Sequence, residues 1–242
     1  MPYITEIYAK EVIDASGYPT IEVVLETESG AKAKVVVPSE LASTPNEACI
    51  LRDKDPKRYQ GLGVTKAVNM INNLIRAELL GNDCRNQRAI DNLLIKLDGT
   101  ENKSKIGANT MLAVSLACCK AACDYSDLPL YQYLGGFNAC TLPTPFINVL
   151  NGGKYNESGF AFQEIMLVPI SAKTYQDALQ MSSEVYNKLK DVLKEKNYST
   201  LVCNEGGYAP TIKTNEEAIQ LVERAIKQAG YKVKQDLNYY LF

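Results

Sequence analysis

Histidine is absent from all 242 residues. That absence excludes Ser-His-Asp and Cys-His nucleophilic sites and H-E-x-x-H zinc sites. Acid/base chemistry falls to carboxylates, lysine, tyrosine or cysteine. Tryptophan is absent too, which excludes nothing comparable. A long apolar run is also missing. The longest, residues 111–119, stops at Lys120, far short of a membrane span. Charge of one sign is not in excess: 26 basic and 28 acidic residues leave a formal net charge of −2. The chain therefore shows no electrostatic footprint for nucleic acid or an anionic membrane. Its first residues, Met1-Pro2-Tyr3-Ile4-Thr5-Glu6, lack the basic and apolar regions of a signal peptide. With seven cysteines, an odd number, the expectation is a reduced, cytoplasmic setting.

What is present is globular. Hydrophobic residues make up 46% and charged ones 22%, which is neither disordered nor fibrous. The length predicts roughly one to two domains and a sizeable core. Ile21, Val23, Leu25 and Thr27 alternate with Glu22, Val24 and Glu26, the period of a half-buried strand. Ser29-Gly30 reads as a turn, residues 31–37 as a second strand, and residues 4–13 as a strand before them. Helical spacing follows at Val64, Ala67, Val68, Ile71, Leu74 and Ile75, and again at Ile90, Leu93, Leu94 and Leu97 before Asp98-Gly99. Residues 108–122, rich in Ala, Leu and Cys, read as a buried helix. Strands followed by helices predict an α+β domain over residues 1–136.

Pro143 and Pro145 mark a boundary. Beyond it, residues 146–150 form a short apolar run closed by Asn151-Gly152-Gly153, and residues 160–169 are a strand candidate. Thr174-x-x-Asp177 resembles a capping box ahead of the helix face Ala178, Met181, Val185, Leu189 and Val192. Thr214-x-x-Glu217 opens another helix, which Gly230 closes. Residues 236–242 read as a third strand.

Few residues invite a chemical reading. Cys118, Cys119 and Cys123 lack a second ligand pair at zinc spacing, so helix packing is the plainer account. Gly61-Leu62-Gly63-Val64 lacks a preceding strand and a third glycine, so it reads as a helix-opening turn rather than a phosphate loop. In Asn204-Glu205-Gly206-Gly207-Tyr208-Ala209-Pro210 a carboxylate sits beside two glycines, on closely approachable backbone. Glu205 is there either a site residue or a solvated loop acid. Glu164 lies among Phe162, Ile165, Met166, Leu167 and Val168. It is either an acid at a barrel mouth or a surface acid on an edge strand.

Taken together, these segments resemble one family, enolase (phosphopyruvate hydratase). The matching stretches are Val12-Ile13-Asp14 with Gly17-Tyr18-Pro19-Thr20-Ile21-Glu22-Val23, then Gly61-Leu62-Gly63-Val64-Thr65-Lys66-Ala67-Val68. Lys105-Ile106-Gly107-Ala108-Asn109, Leu130-Tyr131-Gln132-Tyr133-Leu134-Gly135-Gly136 and Leu142-Pro143-Thr144-Pro145 follow in family order. Asn151-Gly152-Gly153, Phe162-Gln163-Glu164 and Glu205-Gly206-Gly207-Tyr208-Ala209-Pro210 complete the series. The resemblance implies an α+β N-terminal domain followed by an incomplete α/β barrel of TIM type, with a β-β-α-α start, over residues 142–242. It implies dehydration of 2-phosphoglycerate to phosphoenolpyruvate in glycolysis, with Mg²⁺ on the developing enediolate. By the same match, Glu205 assists departure of hydroxide, helped by Glu164, and Gln163 lies near the substrate.

The chain also departs from the family pattern. The resemblance places the catalytic lysine, the remaining metal carboxylates and a phosphate-binding arginine beyond residue 242, and aligns the first metal aspartate with Phe242. The mobile loop corresponds to Ser39-Glu40-Leu41-Ala42-Ser43-Thr44. Its metal-ligating serine falls on Ala42 without a gap, or on Ser43 with a one-residue slip. Glu40 and Pro45 replace glycines of that loop. Asp14-Ala15-Ser16-Gly17 loses an arginine, and Lys154-Tyr155-Asn156-Glu157 lacks the family's histidine. The expectation is an isolated chain without activity. The alternatives are a noncatalytic protein pairing with itself or with a full-length enolase, or a remnant of a disrupted gene. Three barrel strands cannot close, so the region after residue 142 is expected to be poorly ordered or self-associating.

Overall fold

A computed structural model of the chain describes residues 1–39, 46–153, 160–203 and 205–242. It divides into two compact units, Met1–Cys140 and Thr141–Phe242.

The first unit opens with an antiparallel meander of β1 (Ile4–Ile13), β2 (Pro19–Thr27) and β3 (Lys32–Val36). β2 turns Ile21, Val23 and Leu25 into the core, as its alternation demands. The opposite face carries Glu22, which is buried between Lys10 and Lys34 of the flanking strands, each 2.8 Å away. Burial alone would raise the Glu22 carboxyl, but the two ammonium groups outweigh it and hold the carboxyl below its ordinary range.

Helices cover the core face. α1 (Thr65–Asn69), a π-helical segment (Met70–Ile75) and α2 (Arg76–Leu79) run in succession. Ala67, Ile71, Ile75 and Leu79 are all fully buried, at a spacing of four. An α-helix at 3.6 residues per turn would rotate such a ladder off the sheet; the wider π turn keeps it in line. The same segment aims Asn72 at the sheet edge. Its amide accepts from the Ala9 N–H at 2.7 Å and donates to the Ala9 carbonyl at 3.0 Å, meeting two backbone groups that an edge strand leaves unpaired. α3 (Gln87–Asp98) ends on Gly99, which is left-handed at φ 66°. α4 (Ala108–Tyr125) lies against β2 and β3, and α5 (Leu130–Gly135) follows.

The glycine-rich turn before α1 does open a helix. The Asp53 carboxylate accepts from the N–H groups of Thr65 (3.0 Å) and Lys66 (2.8 Å). Gly63 is needed because a Cβ there would lie 2.4 Å from Asp53 Oδ2. The protein's own acid thus fills the positive pole that a phosphate would take. The α4 thiols are packing groups. Cys118 is fully buried and Cys119 and Cys123 nearly so. Burial pushes the thiols of Cys123 and of neighbouring Cys84 up to about 11, and that of Cys118 further still. All seven cysteines are unbridged. No helix among the described residues is long and apolar enough to cross a membrane.

The second unit runs β4 (Ile147–Asn151), β5 (Glu164–Val168), α6 (Tyr175–Glu195), α7 (Asn215–Gln228) and β6 (Asn238–Leu241). Its sheet order is β4-β5-β6, both pairings antiparallel. α6 opens on the full capping box expected of Thr174 and Asp177, while Thr214 caps α7 by accepting from the Glu217 N–H. Val149, Ile165 and Leu167 join Val185, Leu189, Val222 and Ile226 in one buried core. Periodicity placed the second strand over residues 160–169, but β5 begins only at Glu164. Phe160 instead folds under Gly152, where a Cβ would lie 2.5 Å from the ring.

Candidate active site

β4 is the platform of the site. A bulge between Asn148 and Leu150 leaves Val149 without a partner on β5. Its carbonyl instead accepts from the Tyr208 N–H at 3.0 Å, and the Asn151 N–H donates to the Tyr208 carbonyl at 2.8 Å. One edge of β4 therefore holds β5, with Asn151 opposite Glu164. The other edge holds the segment that follows Glu205. Two acids distant in sequence are brought to the two sides of one strand, near enough for the Glu205 charge to act on Glu164.

Each acid is fixed by backbone bonds. Beside Glu164, the Gln163 carbonyl accepts from Gly152 at 3.1 Å and the Gln163 N–H donates to the Phe242 carbonyl at 2.7 Å. The Phe242 N–H donates to the Glu164 carbonyl at 3.0 Å. Glu205 sits in a tight reversal. The Gly206 N–H donates to Cys203 and the Cys203 N–H to Gly207, both at 3.0 Å. Gly206 adopts φ +86° with open space around it, a backbone setting that favours glycine. Gly207 is glycine for another reason. A Cβ there would lie 2.0 Å from Asn151 Oδ1, 2.6 Å from Asn148 Oδ1 and 3.0 Å from the Leu150 nitrogen. The loop docks flush on β4 and admits no side chain at that position.

The electrostatics follow. Glu205 and Gln163 are exposed, and Glu164 is half-buried rather than enclosed within the strand as its apolar neighbours imply. Burial raises the Glu164 carboxyl above its ordinary range, and the Glu205 charge raises it further. A carboxyl raised in this way can hold a proton for delivery. A cavity of about 570 Å³ opens beside Glu205, lined also by Asn148, Ser182 and Tyr186 but not by Glu164 or Gln163. Sequence reasoning gave no role to Asn148, Tyr186 or the stacked Tyr208. Asn148 has both amide atoms buried without a hydrogen-bond partner among the described residues. It lies against Gly207 of the loop, beside a bulge that no sequence pattern signals.

The donor set does not fit a magnesium ion. A hard cation takes six or more oxygen ligands. Among the described residues no group of three or more acidic, cysteine or histidine side chains could hold one. Beside Glu164 the chain supplies Phe242, whose side chain has no oxygen and whose backbone is spent on Gln163 and Glu164. Ser43, and with it Glu40, Ala42, Thr44 and Pro45, lies outside the described residues, as do Asn204 and residues 154–157.

An α+β unit followed by a β-β-α-α-β unit, with two acids flanking the first strand of the latter, defines a two-unit α/β protein. Comparison with known proteins narrows that class. The enolase N-terminal domain model matches residues 4–134, and the enolase C-terminal TIM barrel domain model matches residues 139–239. The enolase of Ehrlichia canis (strain Jake) is 50% identical over 235 residues, covering 97% of this chain and 56% of that relative. The chain belongs to the enolase family. It spans a little more than half the length of the curated relative it matches.

Proposed function

We propose that the chain carries the acid side of an enolase-type dehydratase site for 2-phosphoglycerate and does not turn that substrate over alone. The observation that supports this reading is the convergence of Glu164 and Glu205 on opposite edges of β4. In the reaction a proton leaves C2 and hydroxide leaves C3, giving phosphoenolpyruvate and water. Glu164, held above its ordinary range by burial and by Glu205, keeps a proton at a pH where an ordinary carboxyl has lost it. The pair delivers that proton to the departing C3 oxygen, with Glu205 at the exposed position. Gln163, exposed beside Glu164, offers an amide to the substrate. Abstraction at C2 needs a base of its own, and the family's magnesium needs more oxygen donors than these residues supply.

The sheet favours a second reading, in which the chain acts by pairing with itself or with a full-length enolase. β6 is an edge strand, and Tyr240 and Leu241 on it and Phe242 just after it are exposed, a surface suited to strand pairing. The deciding experiment follows phosphoenolpyruvate by its ultraviolet absorbance, with purified chain, 2-phosphoglycerate and Mg²⁺. No turnover is expected. Conversion that disappears in Glu205→Gln would overturn the proposed inactivity. A monodisperse monomer that fails to copurify with a full-length enolase would remove the second reading.

A further inference from the structure

Glu205 stands in a loop whose next two residues are glycines, and a Gly-Gly peptide is the most freely rotating unit a chain can contain. Something outside the loop must stop it turning. The ends are already tied. The Gly206 N–H is bound to Cys203, the Gly207 carbonyl accepts from Cys203, and Tyr208 is paired to β4. The remaining acceptor between them is the Gly206 carbonyl. It is met by a side chain from α6: the Tyr186 hydroxyl donates to it at 2.9 Å.

The donor is itself held. The Tyr186 ring stacks on Tyr208 with centroids 4.5 Å apart and planes 14° from parallel. Tyr208 is 2% exposed, so the surface beneath Tyr186 is part of the core. Burial, and then its contact with Tyr186, push the Tyr208 hydroxyl well above the ordinary tyrosine range, so it brings no charge to the stack. Tyr186 also lines the cavity beside Glu205.

We propose that Tyr186 is a positioning residue for Glu205: its hydroxyl locks the Gly206–Gly207 peptide and so fixes where the Glu205 carboxylate stands relative to Glu164. This rests on the reading of Glu164 and Glu205 as a working pair. Tyr186 touches no reacting atom in that reading. It acts through the loop, and Gly207, pressed against Asn148 and Asn151, is the fulcrum.

The test uses the full chain, labelled with ¹³C and ¹⁵N, and reads the titration of the Glu164 side-chain carboxyl by NMR. Among the described residues Glu205 is the charged group acting on Glu164. Glu205→Gln should therefore lower the Glu164 midpoint. Tyr186→Phe keeps the stacked ring and removes only the hydroxyl. It should lower the midpoint in the same direction by a smaller amount and speed exchange of the Gly206 and Gly207 amides by about three- to tenfold, the range of one lost hydrogen bond. The Glu217 carboxyl, bound to Tyr198, should not move. If Glu205→Gln lowers the midpoint while Tyr186→Phe changes neither reading, the positioning role is overturned and the acid pair stands. If Glu205→Gln leaves the midpoint unmoved, the pair itself fails. A check without substitution looks for a nuclear Overhauser effect between the Tyr186 ring protons beside the hydroxyl and the Gly206 and Gly207 protons, expected from the 2.9 Å bond; its absence overturns the proposal even if a variant does not fold.

Discussion

The described residues contain two antiparallel sheets of three strands, and polar groups around them are employed differently. In the first unit several polar groups are spent on structure. Asn72 occupies the edge of β1, Asp53 the start of α1, and two lysines the buried Glu22. In the second unit polar groups stay available. The Asn148 amide is buried without a partner among the described residues, and Gln163 and Glu205 face solvent. A sheet whose edge groups are met is finished as a structure. One that leaves polar groups unmet around one strand has the composition of a candidate site.

The sharpest way to test that contrast is through the cores. Ile75→Ala in the first unit and Leu189→Ala in the second each remove a fully buried side chain and should each cost about 2–5 kcal/mol. Each loss should be confined to the amide-exchange protection of its own unit. Equal losses in both units from either change would mean that the comparison has no thermodynamic content. Gly207→Ala comes next. The new methyl meets Asn151 and Asn148, and the forced shift should cost about 1–3 kcal/mol, read by urea unfolding of the second unit. Wild-type stability would show that the loop does not dock on β4. Thr174→Ala should cost about 1 kcal/mol by loss of the α6 cap, and the matching change at Thr214, which lacks the reciprocal bond, should cost less in the same denaturation series.

The smallest effect separates the units by pH. The Asp98 carboxyl is buried, which alone would raise it. Bonds from Thr100 and Ile106 more than offset this and hold it below its ordinary range. Its contribution is present above the unfolded pKa and is lost as pH falls through the folded one. Glu164 is raised, so its contribution is full below the unfolded pKa and is lost as pH rises through the folded one. Asp98→Asn should therefore flatten the acid limb of the first unit. Glu164→Gln should flatten a weak, opposite slope just above the ordinary carboxylate range in the second. Stability against pH, read from amide exchange in each unit, checks both; slopes of the same sign would break the comparison.

Much of the fold was legible because alternation and helical spacing act locally. β1, the capping box at Thr174 and the glycine stop at Gly99 need no distant partner. Glu164 and Glu205 were legible as candidates because an acid beside glycines or inside an apolar strand is chemically out of place. Their meeting was implied only by the family resemblance; in the residues themselves it was hidden, since it depends on β4 pairing through both edges at once. The late start of β5 was hidden because Phe160 and Phe162 read as strand residues until Gly152 is seen above the ring. Tyr186 was hidden for a simpler reason: beside the core residue Val185, a tyrosine reads as helix surface.

The π turn at Met70–Ile75 accommodates one residue more than an ordinary α-helix would hold between Ala67 and Leu79. Deleting one residue there and winding the rest as α-helix would leave those two about eleven positions apart, only about 20° off a common face. The apolar ladder would therefore survive the edit, and what would be at risk is the grip of Asn72 on β1. The irregular winding serves the polar contact at the sheet edge more than the core beneath it.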